Sequence, residues 1–247
     1  MDLKTFFREN PSVALAFSGG VDSSYLLYAG LHYGAKVKPY FIKTQFQPQF
    51  EFEDALRLAK DVGVEITVLE KDILKIPKVV ENSSDRCYHC KTALFRMLNE
   101  RALMDGFSIM IDGTNASDDA QDRPGMRALK ELSIRSPLRE CGITKAQVRQ
   151  LSKEAGLFTW DKPAYACLAT RIPVNNPIGD DLLVKVEKAE DILFKMGFTD
   201  FRVRILGDSA RLQIPVSQMY NILEKRDEIL KELSMDFSGI LLDLYGR

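Results

Sequence analysis

Apolar residues come in short blocks along the first part of the chain, and each block ends in a polar or glycine-rich turn. Val13 to Phe17 is apolar throughout and stops at Ser18-Gly19-Gly20. That predicts a strand buried on both faces over residues 13–17, followed by a helix over 22–31. The same reading gives further strands at 37–42, 64–69 and 108–111. Between them, Phe52, Ala55, Leu56 and Ala59 recur at helical spacing within 50–62. Ala93, Leu94, Met97 and Leu98 share one face of a helix over 90–103. Thr144 reads as the N-cap of a helix over 145–155, which Gly156 stops. Strands alternating with helices predict an α/β fold with a doubly wound parallel sheet.

The pattern changes after that. Residues 158–179 are rich in Pro and Asn and lack a clear period, as expected of a crossing between domains. Then follow a predicted helix (182–196), a hairpin (strands 201–206 and 210–214 around Gly207-Asp208), a helix (216–233) and a strand (240–244). This reads as a small α+β domain, too small to be more than marginal alone. The expected division is 1–172 and 173–247.

Composition narrows the classes. The chain has 247 residues, 45% of them hydrophobic, enough for a substantial core. Lys plus Arg (34) nearly balances Asp plus Glu (35), so no overall field favours nucleic acid. The start, MDLKTFFREN, is charged and has no apolar signal-peptide core, and no apolar run reaches membrane-spanning length. A cytoplasmic protein is expected, and there four cysteines read as thiols or metal ligands rather than disulfides.

Ligands of parallel sheets bind beyond the carboxyl ends of the strands. Ser18 to Ser24, Lys43-Thr44 and Asp112-Gly113-Thr114-Asn115 all fall at that edge. Two glycines before a helix start leave backbone N–H groups open to phosphate. The stretch matches neither the Walker pattern nor GxGxxG. An ordinary capped turn is the plain alternative.

Ser18-Gly19-Gly20-Val21-Asp22-Ser23 resembles the PP-loop of the ATP-pyrophosphatase superfamily, which is adenine nucleotide alpha hydrolase-like in fold. The resemblance implies that ATP, with Mg2+, is split between its α and β phosphates and that AMP activates a substrate carbonyl or carboxylate. It carries over to Ala16, Phe17, Ser18, Gly19, Gly20, Asp22, Ser23 and Ser24 as nucleotide contacts, with Asp22 the candidate Mg2+ ligand. By their place at the same edge, Lys43 is a candidate phosphate or adenine contact or else a solvated strand end, and Thr114 a candidate nucleotide contact or else ordinary turn chemistry. Such an enzyme needs a nitrogen or sulfur nucleophile. Cys87 and Cys90 form a CxxC at a helix start, where the dipole suits anionic sulfur. Cys167 lies far off in sequence, and Cys141 has no motif around it. A zinc half-site or a redox dithiol would explain CxxC equally well by itself.

Longer stretches are more specific. RCYHCK (Arg86 to Lys91), DGTNASDD (Asp112 to Asp119), DRPGMRAL (Asp122 to Leu129), Ser136 to Leu157 and KPAYACLATRIP (Lys162 to Pro173) together resemble the LarE family. These are ATP-dependent sulfur transferases of nickel-pincer nucleotide biosynthesis. The resemblance implies a nucleotide substrate, pyridinium-3,5-biscarboxylate mononucleotide, a sulfide donor, and a homo-oligomer of hexameric type. Cys167 matches the family's sulfur-bearing cysteine, which single-cysteine members sacrifice. With Cys87 and Cys90 added, the resemblance implies instead a 4Fe-4S cluster on three thiolates, one iron being left open for hydrosulfide.

Arg202 and Arg204 alternate on a strand and match a family Arg-x-Arg pair for substrate phosphate; Arg171 is a further candidate for the phosphate or carboxylate, and Arg211 lies on the next strand. Asp112 and Asn115 are candidates for positioning nucleotide or cysteine loop. Asp118, Asp119, Asp122 and Arg123 form a charged run beside that edge. Glu187 and Glu190 read as solvent or interface pairs, and Trp160 as a packing residue. The competing readings are a tRNA uridine thiolase, disfavoured by near-neutral charge, an amide-forming synthetase and a nucleotide-sensing scaffold.

Overall fold

The computed structural model describes residues 1–118 and 124–247. In chain order the elements are α1 (Leu3–Glu9), β1 (Ser12–Ala16), α2 (Val21–His32), β2 (Lys36–Lys43), α3 (Gln49–Asp61), β3 (Thr67–Glu70) and α4 (Pro77–Val80). They continue with α5 (Arg86–Met104), β4 (Met110–Ile111), α6 (Pro124–Glu131), α7 (Pro137–Glu140) and α8 (Lys145–Glu154). The last are α9 (Asp180–Lys195), β5 (Arg202–Leu206), β6 (Ser209–Gln213), α10 (Met219–Glu224), α11 (Arg226–Leu233) and β7 (Gly239–Leu242).

The chain forms two compact units: Met1–Asp72 with Asp85–Lys162, and Ile73–Ser84 with Pro163–Arg247. The second unit thus starts at Pro163, ahead of the expected residue 173, and takes in an early segment that the hydrophobic pattern does not assign to it.

The first unit carries a four-stranded sheet in the order β3-β2-β1-β4, with every pairing parallel. Side chains alternate across it. Val13 and Leu15 of β1 and Val37 and Phe41 of β2 join one core with α1, α2 and α8, while Ala14, Tyr40 and Ile42 join a second with Leu98 and Ala102 of α5. Both sheet faces are covered by helices, so the strands read as apolar runs rather than alternating ones. Strand order reverses direction between β1 and β4, the switch point beyond which open parallel sheets bind ligands. The PP-loop stretch follows β1, and Asp112 to Asn115 follow β4.

In the second unit β5 and β6 pair antiparallel and β6 and β7 parallel. Leu183, Val186, Ala189 and Leu193 of α9 are buried. The early segment is tied in by Asn82, which is fully buried: its Nδ2 donates to the carbonyls of Pro173 (2.8 Å) and Asn176 (2.9 Å), and its own carbonyl accepts from Asn175 N (2.8 Å).

Thr144 caps α8 and forms a full capping box with Gln147, and Gly156 follows the helix end at φ 69°. The helix expected over 216–233 is broken: α10 and α11 meet at Lys225, whose Nζ donates to Met196 O at 2.6 Å.

Candidate active site

After β1, Phe17 is buried and Ala16 half-buried. Gly19 adopts φ +71°, and a Cβ placed there would lie 3.0 Å from Ala55 Cβ and 3.1 Å from its backbone. Only glycine fits both constraints. Gly20 is the N-cap of α2 and gives it no side-chain cap. The loop is braced from within: Ser23 Oγ accepts from Ser18 N (3.3 Å), pairs with Ser18 Oγ (3.1 Å) and donates to Gly20 O (3.2 Å). Gly20 N donates to Ser18 Oγ at 3.3 Å. Ser24 is fully buried, and its hydroxyl has no hydrogen-bond partner among the described residues.

The loop after β4 closes on the same spot. A Cβ at Gly113 would stand 2.9 Å from Ser23 N, so this loop abuts the first turn of α2. Asp112 is buried and accepts from Thr114 Oγ1 (2.5 Å), Thr114 N (3.2 Å) and Ser136 Oγ (2.6 Å). Asn115, 2% exposed, donates through Nδ2 to Asp22 Oδ1 at 3.2 Å, and its backbone N donates to Asp118 Oδ2 at 2.9 Å. The other carboxylate oxygen of Asp22 forms a short ion pair with Lys145 Nζ, from the start of α8. Lys43, at the end of β2, donates to Gln49 Oε1 (2.7 Å) and lies over the Phe52 ring. Asp119, Asp122 and Arg123 lie outside the described residues.

Helix α5 begins at Arg86, earlier than the expected Cys90, so Cys87 and Cys90 are its second and fifth residues, three apart, and share a face. Cys87 is exposed and Cys90 half-buried, and the buried Arg86 donates through Nη2 to Cys87 Sγ at 3.7 Å. Cys167 belongs to the second unit, where it is half-buried just before a 3-10 turn, Leu168–Arg171. Among the described residues no group of three or more His, Cys, Asp or Glu side chains stands ready around a metal position.

The Cys167 segment rests on an arginine cluster. Arg171 is 1% exposed, and its fork is spent inside the protein: Nε and Nη2 donate to Glu190 at 2.8 and 3.0 Å, and Nη1 to Ala166 O and Thr170 Oγ1, both at 2.8 Å. The bidentate contact expected with substrate is made with Glu190. Glu190 itself departs from the expected surface role. It is 1% exposed and also accepts from Val203 N (2.9 Å) and, in a short bond, from Tyr165 OH. Burial and the Glu190 charge push the Tyr165 hydroxyl far up.

Arg202 is 5% exposed; it donates to the carbonyls of Phe201 (2.5 Å) and Ala164 and lies over the Tyr165 ring, 4.8 Å from its centroid. Burial, followed by the charges of Arg171 and Arg247, pushes its guanidinium down to about 10. Arg204 is lowered likewise, by burial and then by Arg171 and Arg211; it donates to Thr170 O at 2.5 Å and to Gln213. Arg211 pairs with Asp243, Nε to Oδ2 at 3.0 Å. Positive charge therefore outweighs negative in this cluster, a setting that favours a bound anion.

A parallel sheet with a glycine turn and an uncapped helix start at its switch point defines an α/β protein of the kind that binds ligands beyond the ends of its strands. No family model matches the chain. It is 36% identical over 253 residues to the uncharacterized protein slr1717 of Synechocystis, covering 99% of this chain and 93% of that one. It is 31% identical over 237 residues to the pyridinium-3,5-bisthiocarboxylic acid mononucleotide synthase of Lactiplantibacillus plantarum, 95% and 86% of the two chains. A more distant likeness, 27% over 192 residues, joins it to the tRNA-specific 2-thiouridylase MnmA of Thermotoga maritima, 61% of this chain and 54% of that one. The chain belongs to the LarE family, that of the Lactiplantibacillus synthase, and is a sulfur-transferring enzyme of the PP-loop class. Among the described residues no helix is long and apolar enough to cross a membrane.

Proposed function

We propose that this chain adenylates a carboxylate of a pyridinium nucleotide, pyridinium-3,5-biscarboxylate mononucleotide, and replaces the activated oxygen with sulfur. The observation that carries the reading is the start of α2: Gly19 and Gly20 present it without a side-chain cap at the switch point of the sheet. Backbone N–H groups and the helix dipole there suit the phosphates of ATP. Ser18, Ser23, Lys43 and Thr114 are the further proposed contacts, with Ser24 buried behind the loop, and Asp22 offers a hard oxygen for Mg2+. A carboxylate oxygen of the substrate attacks the α phosphorus, the bond to the bridging oxygen breaks, and pyrophosphate leaves. A sulfur nucleophile then adds to the acyl carbon, and the C–O bond to AMP breaks. Oxygen on carbon leaves poorly, whereas AMP leaves well. Arg202 and Arg204 have charge to spare for the substrate phosphate; Arg171 holds Ala166 and Thr170 and so steadies Cys167.

Cys87, Cys90 and Cys167 are the proposed sulfur-handling residues. The two on α5 share a helical face and carry soft thiol donors of the kind that hold iron–sulfur clusters. A 4Fe-4S cluster held by all three would, when bound, supply one iron open to hydrosulfide, so that Cys167 is spared. We further propose a homo-oligomer.

The test is pyrophosphate release over a panel of pyridinium carboxylates, with mass spectrometry of product and protein after anaerobic reconstitution with iron and sulfide. The expected result is a thiocarboxylate nucleotide, a four-iron chromophore and unaltered Cys167. Loss of one sulfur from Cys167 assigns the sacrificial route instead. Salt-dependent tRNA binding with no turnover of pyridinium substrates would overturn the reading in favour of a tRNA thiolase.

A further inference from the structure

Lys162, the last residue of the first unit, is held from several sides. Its ammonium is sealed from solvent, forms an ion pair with Asp54 Oδ2 at 2.6 Å and lies over the Phe50 ring, 5.4 Å from the centroid. Its carbonyl accepts from Arg149 Nη2 at 2.7 Å, and its backbone N donates to Thr159 O at 3.1 Å. Arg149 also reaches Trp160 O through Nη1 at 2.7 Å, so one guanidinium of α8 holds two carbonyls of this stretch. Burying an ammonium costs free energy that its carboxylate partner offsets, so such a pair fixes where the chain lies more than it adds stability. Phe50 and Asp54 are four apart on α3 and share a face. Ala55, the next residue, is the one on which Gly19 of the phosphate loop rests, and Gln49 at the helix start holds Lys43. One helix thus backs the phosphate loop, steadies the end of β2 and pins Lys162. From Pro163 onward the chain belongs to the second unit, and Cys167 lies five residues beyond Lys162.

Resting on the sulfur-transfer reading above, we propose that Asp54 and Arg149 are positioning residues for the sulfur-transfer step: they fix Lys162, where the Cys167 segment starts, on the helix that backs the phosphate loop. In that step a sulfur lone pair forms the C–S bond, and the C–O bond breaks with its electron pair leaving on AMP. The acyl carbon is bonded to AMP, so its place is set by the phosphate loop. The sulfur must meet that carbon at about 3–3.5 Å, and a misplacement of about 1 Å costs on the order of 100-fold in rate. Anchoring the start of the Cys167 segment on α3 refers nucleophile and electrophile to one rigid element. Adenylation needs no such registration, because both of its reacting groups are bound before sulfur takes part. The anchor therefore serves the second half-reaction alone.

The experiment follows both half-reactions in a single turnover of the full-length protein, reconstituted anaerobically and given Mg·ATP and the pyridinium biscarboxylate nucleotide. Pyrophosphate and thiocarboxylate are read separately for the wild type, Asp54→Asn, Arg149→Gln and the double variant Asp54→Asn/Lys162→Met, with a thermal melt of each. Asp54→Asn strands the Lys162 ammonium and should lower the melting temperature; adding Lys162→Met removes that charge and should restore most of the loss. All three variants are expected to release pyrophosphate at the wild-type rate and to form thiocarboxylate roughly 10- to 100-fold more slowly, so that adenylate accumulates. The double variant separates the two roles: stability regained with transfer still slow is the mark of positioning. If transfer returns with stability, or both half-reactions fall together in every variant, the pair is only a strut and the proposal falls. It falls too if transfer keeps its wild-type rate throughout, and the sulfur-transfer reading then stands without it. A wild type that releases no pyrophosphate with any pyridinium carboxylate sinks both.

Discussion

Replacing Glu190 by Gln tests the arginine cluster most directly. The change is nearly isosteric, but it removes the only negative charge hydrogen-bonded to Arg171 among the described residues and turns one acceptor oxygen into a donor facing Arg171, Tyr165 or Val203 N. Both ion-pair partners are essentially dry, with side chains 0% and 2% exposed. Breaking a buried pair from one side costs about 3–5 kcal/mol, because the remaining charge is left without compensation. At roughly 2–4 °C per kcal/mol for a chain of this size, the melting temperature should fall by about 6–20 °C. Circular-dichroism melts and urea titration measure the loss. Substituting Met for Arg171 in the same protein should recover part of it, since no charge then stays buried. Alkylation of Cys167 should quicken in the single variant, because Arg171 also holds Ala166 O. A loss below about 1 kcal/mol, the scale of an exposed pair, would refute the reasoning.

Gly19→Ala should abolish ATP binding while leaving the chain folded, because the left-handed backbone and the contact with Ala55 both oppose a side chain in the loop; nucleotide titration alongside a melt checks this. Hydrogen bonds from Arg135 hold the Glu140 carboxyl below its ordinary value, helped by the Arg135 charge and the Ser136 N–H against the opposing effect of burial. A carboxylate lowered on folding stabilises above its unfolded pKa, and the contribution disappears as pH falls through the folded value. Glu140→Gln should therefore lower stability at neutral pH and flatten the acid side of the melting-temperature profile. Burial pushes the Cys141 thiol up, and this residue packs against the first core; Cys141→Ala should leave sulfur transfer at wild-type rate, whereas alanine at Cys87, Cys90 or Cys167 should abolish it under the cluster proposal.

The first unit was legible because its signals are local. Apolar runs such as 13–17 mark doubly covered strands, Thr144 and Gly156 bracket α8, and glycines mark the turn before α2. The early start of α5 was hidden because Arg86 to His89 has no apolar period, its first turn being set by polar residues. Lys225 gives no Gly or Pro signal for the break between α10 and α11; its bond to a carbonyl at the end of α9 is a tertiary demand. Glu190 could have been found. It continues the stripe Leu183, Val186, Leu193 of α9, so a carboxylate there must be buried and must find donors. Lys145 offered no such sign, since only the meeting of α2 with α8 brings it to Asp22.

The detour of residues 73–84 into the second unit has a practical side. No single cut in the gene separates the two pieces. A clone ending at Lys162 would carry an orphaned segment whose buried Asn82 has lost the carbonyls of Pro173 and Asn176, and one beginning at Pro163 would leave those carbonyls unmet. Anyone exchanging the carboxyl-terminal module between relatives must therefore transplant the early insert with it, as one cassette with two seams.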